Sequence, residues 1–355
     1  MICCEKCFTD EQIKAMIRGL DNIGDCEICY SSCVAIYDTE KNNELVDDLN
    51  SLLDVYYSKR DLPEDFPKEK LTMLKDELYD NWNVFAVPRE KVYTLISHIC
   101  SEKYTENPDL FDSPVGIMEA HNTNYLAEHS LMKNHQWIDF VNEIKENNRF
   151  HTDFINTEVI DYYSNYATYS YRKGTVFYRA RISSEDGYSI DKMGPPPIGK
   201  ATSGRANPLG ISCLYLSNDI KTTIHEIRAA AYDFVSVAEF ELMKDIEVVD
   251  FTLLDRISPF VLENKTKYAI NLEHLRNISS EIAKPLRRND SPLDYLPTQY
   301  IVDFIKSKNH SGVKYQSTMN KGGYNVAIFD EKLFKCRKVD VYDVQIEYGW
   351  DKVIN

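Results

Sequence analysis

Apolar residues in the front of the chain recur at intervals of three and four. Leu45, Leu49, Leu52, Leu53 and Tyr56 form one such stripe, Val92, Leu95, Ile96 and Ile99 a second, and Trp137, Phe140, Val141 and Ile144 a third. That spacing puts side chains on one face of a helix, so each stripe predicts a helix turned toward a core. Pro63, Pro67, Pro88, Pro108 and Pro114 punctuate the region, which predicts a helical bundle with short connections. In DYYSNYATYSY, Tyr162, Tyr166 and Tyr169 are expected on one helix face, packed at a domain junction.

After Arg172 the pattern changes. GTVFYRAR, ISCLYLS, FVSVAEFEL and EVVDFT are short β-branched and aromatic runs that predict strands, interleaved with helical SNDIKTTIHEIRAA and PTQYIVDFIKSK. Between them MGPPPIGKATSGRANPLG holds too many glycines and prolines for either element, and a loop of this length inside a compact domain points to function. No internal repeat and no low-complexity segment is present in the sequence.

Composition narrows the possibilities. The 355 residues are 43% apolar and 27% charged, enough for two or three domains with a real core. Lys and Arg number 41 against 56 Asp and Glu, a net charge of -15 that works against a broad grip on phosphate backbones, so nucleic acid is not an expected partner. The acid is concentrated at the front: residues 1–168 carry 15 basic against 32 acidic side chains, residues 169–355 carry 26 against 24. The rear half is the better host for an anionic ligand. No apolar run approaches the roughly 20 residues that span a bilayer, and MICCEKCFTDE lacks a basic region followed by an apolar stretch, so no membrane role is expected and the chain is placed in the cytoplasm.

The nine cysteines are unevenly placed, with Cys3, Cys4, Cys7, Cys26, Cys29 and Cys33 near the start. Cys4 and Cys7, then Cys26 and Cys29, give two C-x2-C pairs with eighteen residues between them. Each pair can set two sulfurs on one side of a tight turn, and four thiolates complete a closed tetrahedral zinc site with no position left for water. A structural zinc on Cys4, Cys7, Cys26 and Cys29 is therefore expected, with Cys3 and Cys33 near enough to exchange as ligands. The divisions expected are a cysteine module over 1–35, an acidic helical domain over 36–168 and a mixed α+β domain over 169–355.

Three charged residues of the rear half stand out: Arg179 on a strand, Arg205 in the long loop, and Glu226 on a helix after a strand. Each also has an ordinary explanation, an arginine paired at a sheet edge or a solvated carboxylate at the margin of the buried stripe Ile220, Ile224, Ile227 and Ala231. The stretch H-E-I-R-A lacks the second histidine of a zinc-protease motif.

Over residues 172–347 the chain resembles the RES domain family, named for its Arg, Glu and Ser. FYRAR, then SGRANPLGISCLYLSNDIKTTIHEIRAA, then PTQYIVDFIKSKNHSGVKYQST with GGYNVAIFD carry the resemblance, in the family's order. By arrangement more than by motif, the front half is similar to the HEPN-like region attached to some RES domains, without the R-x4-6-H pattern of HEPN nucleases. The resemblance implies an α+β fold like that of ADP-ribosyltransferase toxins, with two packed sheets around a cleft for NAD+, and degradation of NAD+ as a toxin or defence effector. An antitoxin or regulatory partner is implied with it. The family Arg, Glu and Ser fall on Arg179, Glu226 and Ser317. The loop arginine and strand tyrosine fall on Arg205 and Tyr215, and Asn207 of the same loop joins them as a substrate-binding residue.

The implied chemistry suits these residue types. Cleavage of the nicotinamide–ribose bond builds positive charge on the sugar, which the Glu226 carboxylate would stabilise. Arg179 and Arg205 would hold the pyrophosphate, Tyr215 would stack on nicotinamide, and Ser317 would hydrogen-bond the nicotinamide ribose or amide. No G-x-G-x-x-G follows a strand, so NAD+ is expected as a substrate and not as a hydride carrier. Hydrolysis or phosphorolysis of NAD+ is the leading expectation. Transfer of ADP-ribose to a protein or nucleic acid comes second, weakened by Ile224 where a transferase needs Glu or Gln, and a non-enzymatic zinc-containing adaptor third.

Overall fold

The rear-half runs of Val, Ile, Phe and Tyr pair edge to edge into a mixed sheet. The computed structural model describes residues 1–284 and 291–345, and among them eight strands are hydrogen-bonded in one order: Phe334–Asp343, Phe234–Leu242, Val176–Ser183, Leu214–Ser217, Tyr324–Ile328, Gly312–Gln316, Ile246–Asp250 and Thr168–Tyr171. Neighbours run antiparallel except Ile246–Asp250 beside Gly312–Gln316, a parallel pair whose crossover carries the helix Leu296–Ser307. Two packed sheets are expected from the resemblance; the strands instead form one continuous sheet. Its two halves meet where Val176–Ser183 and Leu214–Ser217 pair only through Tyr178 opposite Ser217.

Alternation along Phe234–Leu242 buries both faces of the strand. Val235 and Val237 join Ala180 and Val344 in one cluster, against which Ile220, Ile224 and Ile227 pack, while Ala238, Phe240 and Leu242 join Phe177, Leu216, Val248 and Val326 in another. Each fully buried side chain of this size contributes roughly 1.5–3 kcal/mol. The sheet edge beyond Ile246–Asp250 corrects one expectation. The helix Thr157–Tyr166 ends before Tyr169, which lies on the strand Thr168–Tyr171 with its ring 4.4 Å from the Lys314 ammonium. Lys314 in turn meets the buried Asp250 at 2.7 Å.

Packing divides the chain into Met1–His135 with Asp255–Leu275, and Gln136–Leu254 with Arg276–Asn355. The first unit has the expected stripes on Val46–Leu53 and Arg89–Ile99. It is not purely helical, however. Ile2–Cys4, Val34–Asp38 and Ile23–Gly24 form one small sheet, and Tyr57–Ser58, Pro114–Gly116 and Thr72–Met73 another. Strands this short show no alternation, so the sequence pattern does not reveal them. Residues 255–275 return to this unit: Asn271 accepts from the Leu131 amide at 2.6 Å, and Tyr268 packs on Trp82 with ring centroids 5.8 Å apart. The third stripe, on Trp137–Asn142, belongs to the second unit.

Candidate active site and candidate metal centre

A short helix brings the carboxylate of Glu226 to the sheet. Asp219 caps Ile220–Glu226 by accepting from the Thr222 amide at 2.7 Å, and the helix ends at Glu226 because Arg228 turns to a φ of 54°. Thr223 accepts from the Ala180 amide at 3.0 Å, just past the point where that strand loses its neighbour. The helix is thereby tied to the strand that carries Arg179. Its last turn leaves Glu226 at the negative end of the helix dipole, an unfavourable place for a carboxylate that surrounding donors must offset.

Those donors come from the other half of the sheet. Ser317, one residue past Gly312–Gln316, donates to Glu226 Oε1 at 2.7 Å, and Asn325 Nδ2 donates to the same oxygen at 2.8 Å. Arg205 brings Nη2 to 3.6 Å from Oε2, an ionic approach too long for a hydrogen bond. Burial works to lower the Arg205 pKa, but Tyr315 and Glu226 beside it hold the guanidinium above its ordinary value. Its Cζ lies 5.5 Å from the centre of the Tyr315 ring.

The loop holding Arg205 is clipped internally. Asn207, 4% exposed, shares its two amide N–H donors among the carbonyls of Thr202, Pro208 and Ile211 and accepts from the Tyr215 hydroxyl at 2.7 Å. That hydroxyl also accepts from the Ala206 amide at 2.9 Å. Gly204 is required here, since a Cβ would lie 2.5 Å from Asn207 Oδ1 and 2.7 Å from the Tyr215 oxygen. From Leu296–Ser307, Gln299 donates to the carbonyls of Gly204 and Asn207, and Thr298 to that of Arg205. Two adjacent polar residues, Thr298 and Gln299, on the buried face with Ile301, Val302 and Ile305 are the signal the sequence offers for this support.

Glu226, Arg179, Arg205 and Tyr215 line one open cleft of about 300 Å³, with Tyr295, Tyr315 and Asn325. Arg179 donates to the Tyr215 carbonyl at 3.1 Å, and burial pushes its pKa down to about 10, which leaves it charged at neutral pH. Of the remaining sequence candidates, Ser317 stands behind Glu226 with its hydroxyl on the carboxylate, and Asn207 spends its side chain within the loop. Asn325 and Ser217 were not singled out from the sequence. An Asn inside the apolar run NVAI of a central strand is the feature that marks the first.

In the first unit, Cys4, Cys7, Cys26 and Cys29 bring their sulfurs within 4.8 Å of one another. Cys4 and Cys29 are 3.4 Å apart, Cys7 and Cys26 3.6 Å, and Cys4 and Cys7 3.9 Å. A tetrahedron with zinc–sulfur bonds of about 2.3 Å has edges of about 3.8 Å, so this donor set fits zinc. Cys26 also accepts from the amides of Ile28 and Cys29, both at 3.3 Å, the arrangement that steadies a thiolate. Cys3 and Cys33 lie outside the quartet.

Comparison with curated proteins gives no match. Among solved structures, a chain from the crystal structure of the M. tuberculosis MbcT-MbcA toxin-antitoxin complex aligns at 13% identity, covering 53% of this chain and 93% of that one, with a TM-score of 0.32. The family model of the RES domain matches residues 176–351, which include Arg179, Arg205, Glu226, Ser317 and Asn325. The rear half of this chain is a RES domain.

Proposed function

We propose that the protein cleaves the nicotinamide–ribose bond of NAD+ by hydrolysis or phosphorolysis. The observation that carries this reading is the carboxylate of Glu226, fixed by two donors on one oxygen and facing a cleft lined by two arginines. The C1′–N bond breaks with its electron pair on nicotinamide, which leaves neutral, while positive charge builds on the ribose above Glu226. An oxygen of water or phosphate bonds C1′, giving ADP-ribose or its 1-phosphate, and the proton lost by water passes through the carboxylate to solvent. Arg179 and Arg205 hold the pyrophosphate, and Tyr215 borders the nicotinamide.

Membership of the RES family supports a toxin or defence effector acting on the cell's NAD+, with an antitoxin or regulatory protein as partner. The acidic residues 36–168 then gate or recruit and do not cut, and a zinc on the cysteine quartet staples residues 1–35. Among the described residues no helix is long and apolar enough to cross a membrane. ADP-ribosyl transfer is the second reading. Against it, Ile224, two residues before Glu226, packs on the apolar cluster around Val235 and offers no group to an acceptor. A blocked cleft would favour the adaptor reading, and an open one gives it no support.

Purified protein incubated with NAD+, with and without phosphate, decides among these by chromatography. Free nicotinamide with ADP-ribose indicates hydrolysis, and a phosphate-dependent sugar phosphate indicates phosphorolysis. Intact NAD+ after prolonged incubation would end the enzymatic reading.

A further inference from the structure

We infer that Asn325 is a positioning residue for Glu226, oriented by Ser217, and that the two carboxylate oxygens of Glu226 therefore differ in role. Oε1 is tied to the fold, and Oε2 faces the ligand. The inference rests on the reading of Glu226 as the carboxylate of the cleavage step.

An ionised carboxylate only accepts hydrogen bonds, so Asn325 must turn its NH2 toward Oε1 at 2.8 Å. Its Oδ1 then points away and needs a donor. Ser217 stands directly opposite Asn325 in register on the neighbouring strand, and its hydroxyl donates to Oδ1 at 2.7 Å. Ser217, Asn325 and Ser317 are 3%, 3% and 4% exposed, too little for water to replace these bonds cheaply. The charged and titratable groups that line the cleft with the carboxylate are Arg205 from the loop, Tyr215 from Leu214–Ser217, Tyr315 from Gly312–Gln316, Arg179 from Val176–Ser183 and Tyr295 at the head of Leu296–Ser307. Among them Arg205 addresses Oε2.

The arrangement fixes the rotation of the carboxylate without neutralising it. Both donors on Oε1 are neutral, so the charge needed under a cationic sugar is retained, and Oε2 is the oxygen free to meet the ribose or take a proton from attacking water.

The test is Asn325→Asp in the full-length protein. It replaces the donor by an acceptor of the same shape and sets a second carboxylate against Oε1, so that the pair shares a proton. The acid limb of kcat/KM for nicotinamide release should move up by about one pH unit or more. Ser217→Ala, which lets the Asn325 amide turn over, should move the limb the same way by less. Loss of a merely structural residue would reduce the folded fraction and leave the limb where it is.

Urea unfolding gives a readout without turnover. The shared proton raises the folded-state pKa above the unfolded one, so the deficit of Asn325→Asp against wild type should shrink as pH falls, and this dependence should weaken when Glu226→Gln is added, because only burial then raises the pKa of the introduced carboxyl. An unmoved limb in folded Asn325→Asp, or in Ser217→Ala if the first variant does not fold, overturns this inference while wild-type nicotinamide release stands. Absence of release by wild type overturns the functional reading and this inference together.

Discussion

Arg179 gives one N–H to the main-chain carbonyl of Tyr215 at 3.1 Å, while its buried Nε has no hydrogen-bond partner. The residue also lines the cleft, where a planar, charged guanidinium suits an anionic ligand. Arg179→Lys keeps a positive charge but removes the planar set of donors. It should weaken NAD+ binding by about 1.5–3 kcal/mol, measured by calorimetry on a Glu226→Gln background so that substrate is not consumed.

Glu226→Gln preserves an oxygen that can accept from Ser317 and Asn325, but it replaces Oε2 by an amide that repels Arg205. Binding of NAD+ should persist within a few-fold. Nicotinamide release should fall by about 100-fold to 1,000-fold, because the lost charge acts mainly on the cationic transition state. Steady-state kinetics that leave kcat within threefold of wild type would remove Glu226 from the reaction.

Zinc content offers an independent check on the first unit. Elemental analysis should find about one zinc per chain, and Cys26→Ser should lose it together with thermal stability. Because thiolates must be deprotonated to bind metal, zinc should also be released as pH falls. Full metal content in Cys26→Ser would show that the quartet is not the site.

Burial gives the first unit a second pH dependence. His274, on the returning segment, is half-buried with its Nδ1 fully enclosed, and desolvation lowers its pKa. It stays neutral in the fold at pH values where the unfolded chain already takes a proton, so stability is lost as pH falls below about 6.5, by up to roughly 1.4 kcal/mol per pH unit. His274→Gln should flatten that part of the curve in urea unfolding measured between about pH 5 and pH 7.

Much of this was legible in the sequence wherever a pattern extends over several residues. The stripes at Leu49 and Leu95, the strands around Phe177 and Phe240, and the cysteine spacing all follow from periodicity or ligand geometry. Glu226 and Arg179 were found through the motifs around them. Asn325 and Gln299 were not, because a single polar residue in an apolar run discloses a buried partner without disclosing which one. The clip formed by Asn207 is equally hidden: a loop motif marks a residue as needed, but its amide serves the carbonyls of Thr202, Pro208 and Ile211 only through the folded shape of the loop. The return of residues 255–275 to the first unit depends on contacts such as Leu131 with Asn271, separated by 140 residues, which local pattern does not encode.

The bonds on Glu226 also bear on how the protein is made. Ser317 lies 91 residues after Glu226 and Asn325 99 residues after it. At about 5–20 residues per second, the ribosome exposes the carboxylate roughly 5–20 seconds before the groups that orient it. During that interval the nascent chain holds a carboxylate without its alignment and a sheet without its central strand. On the role proposed for Glu226, a nascent chain that stops before Asn325 lacks the full pair of donors that orients this carboxylate, so cleavage should await the strand that carries Asn325.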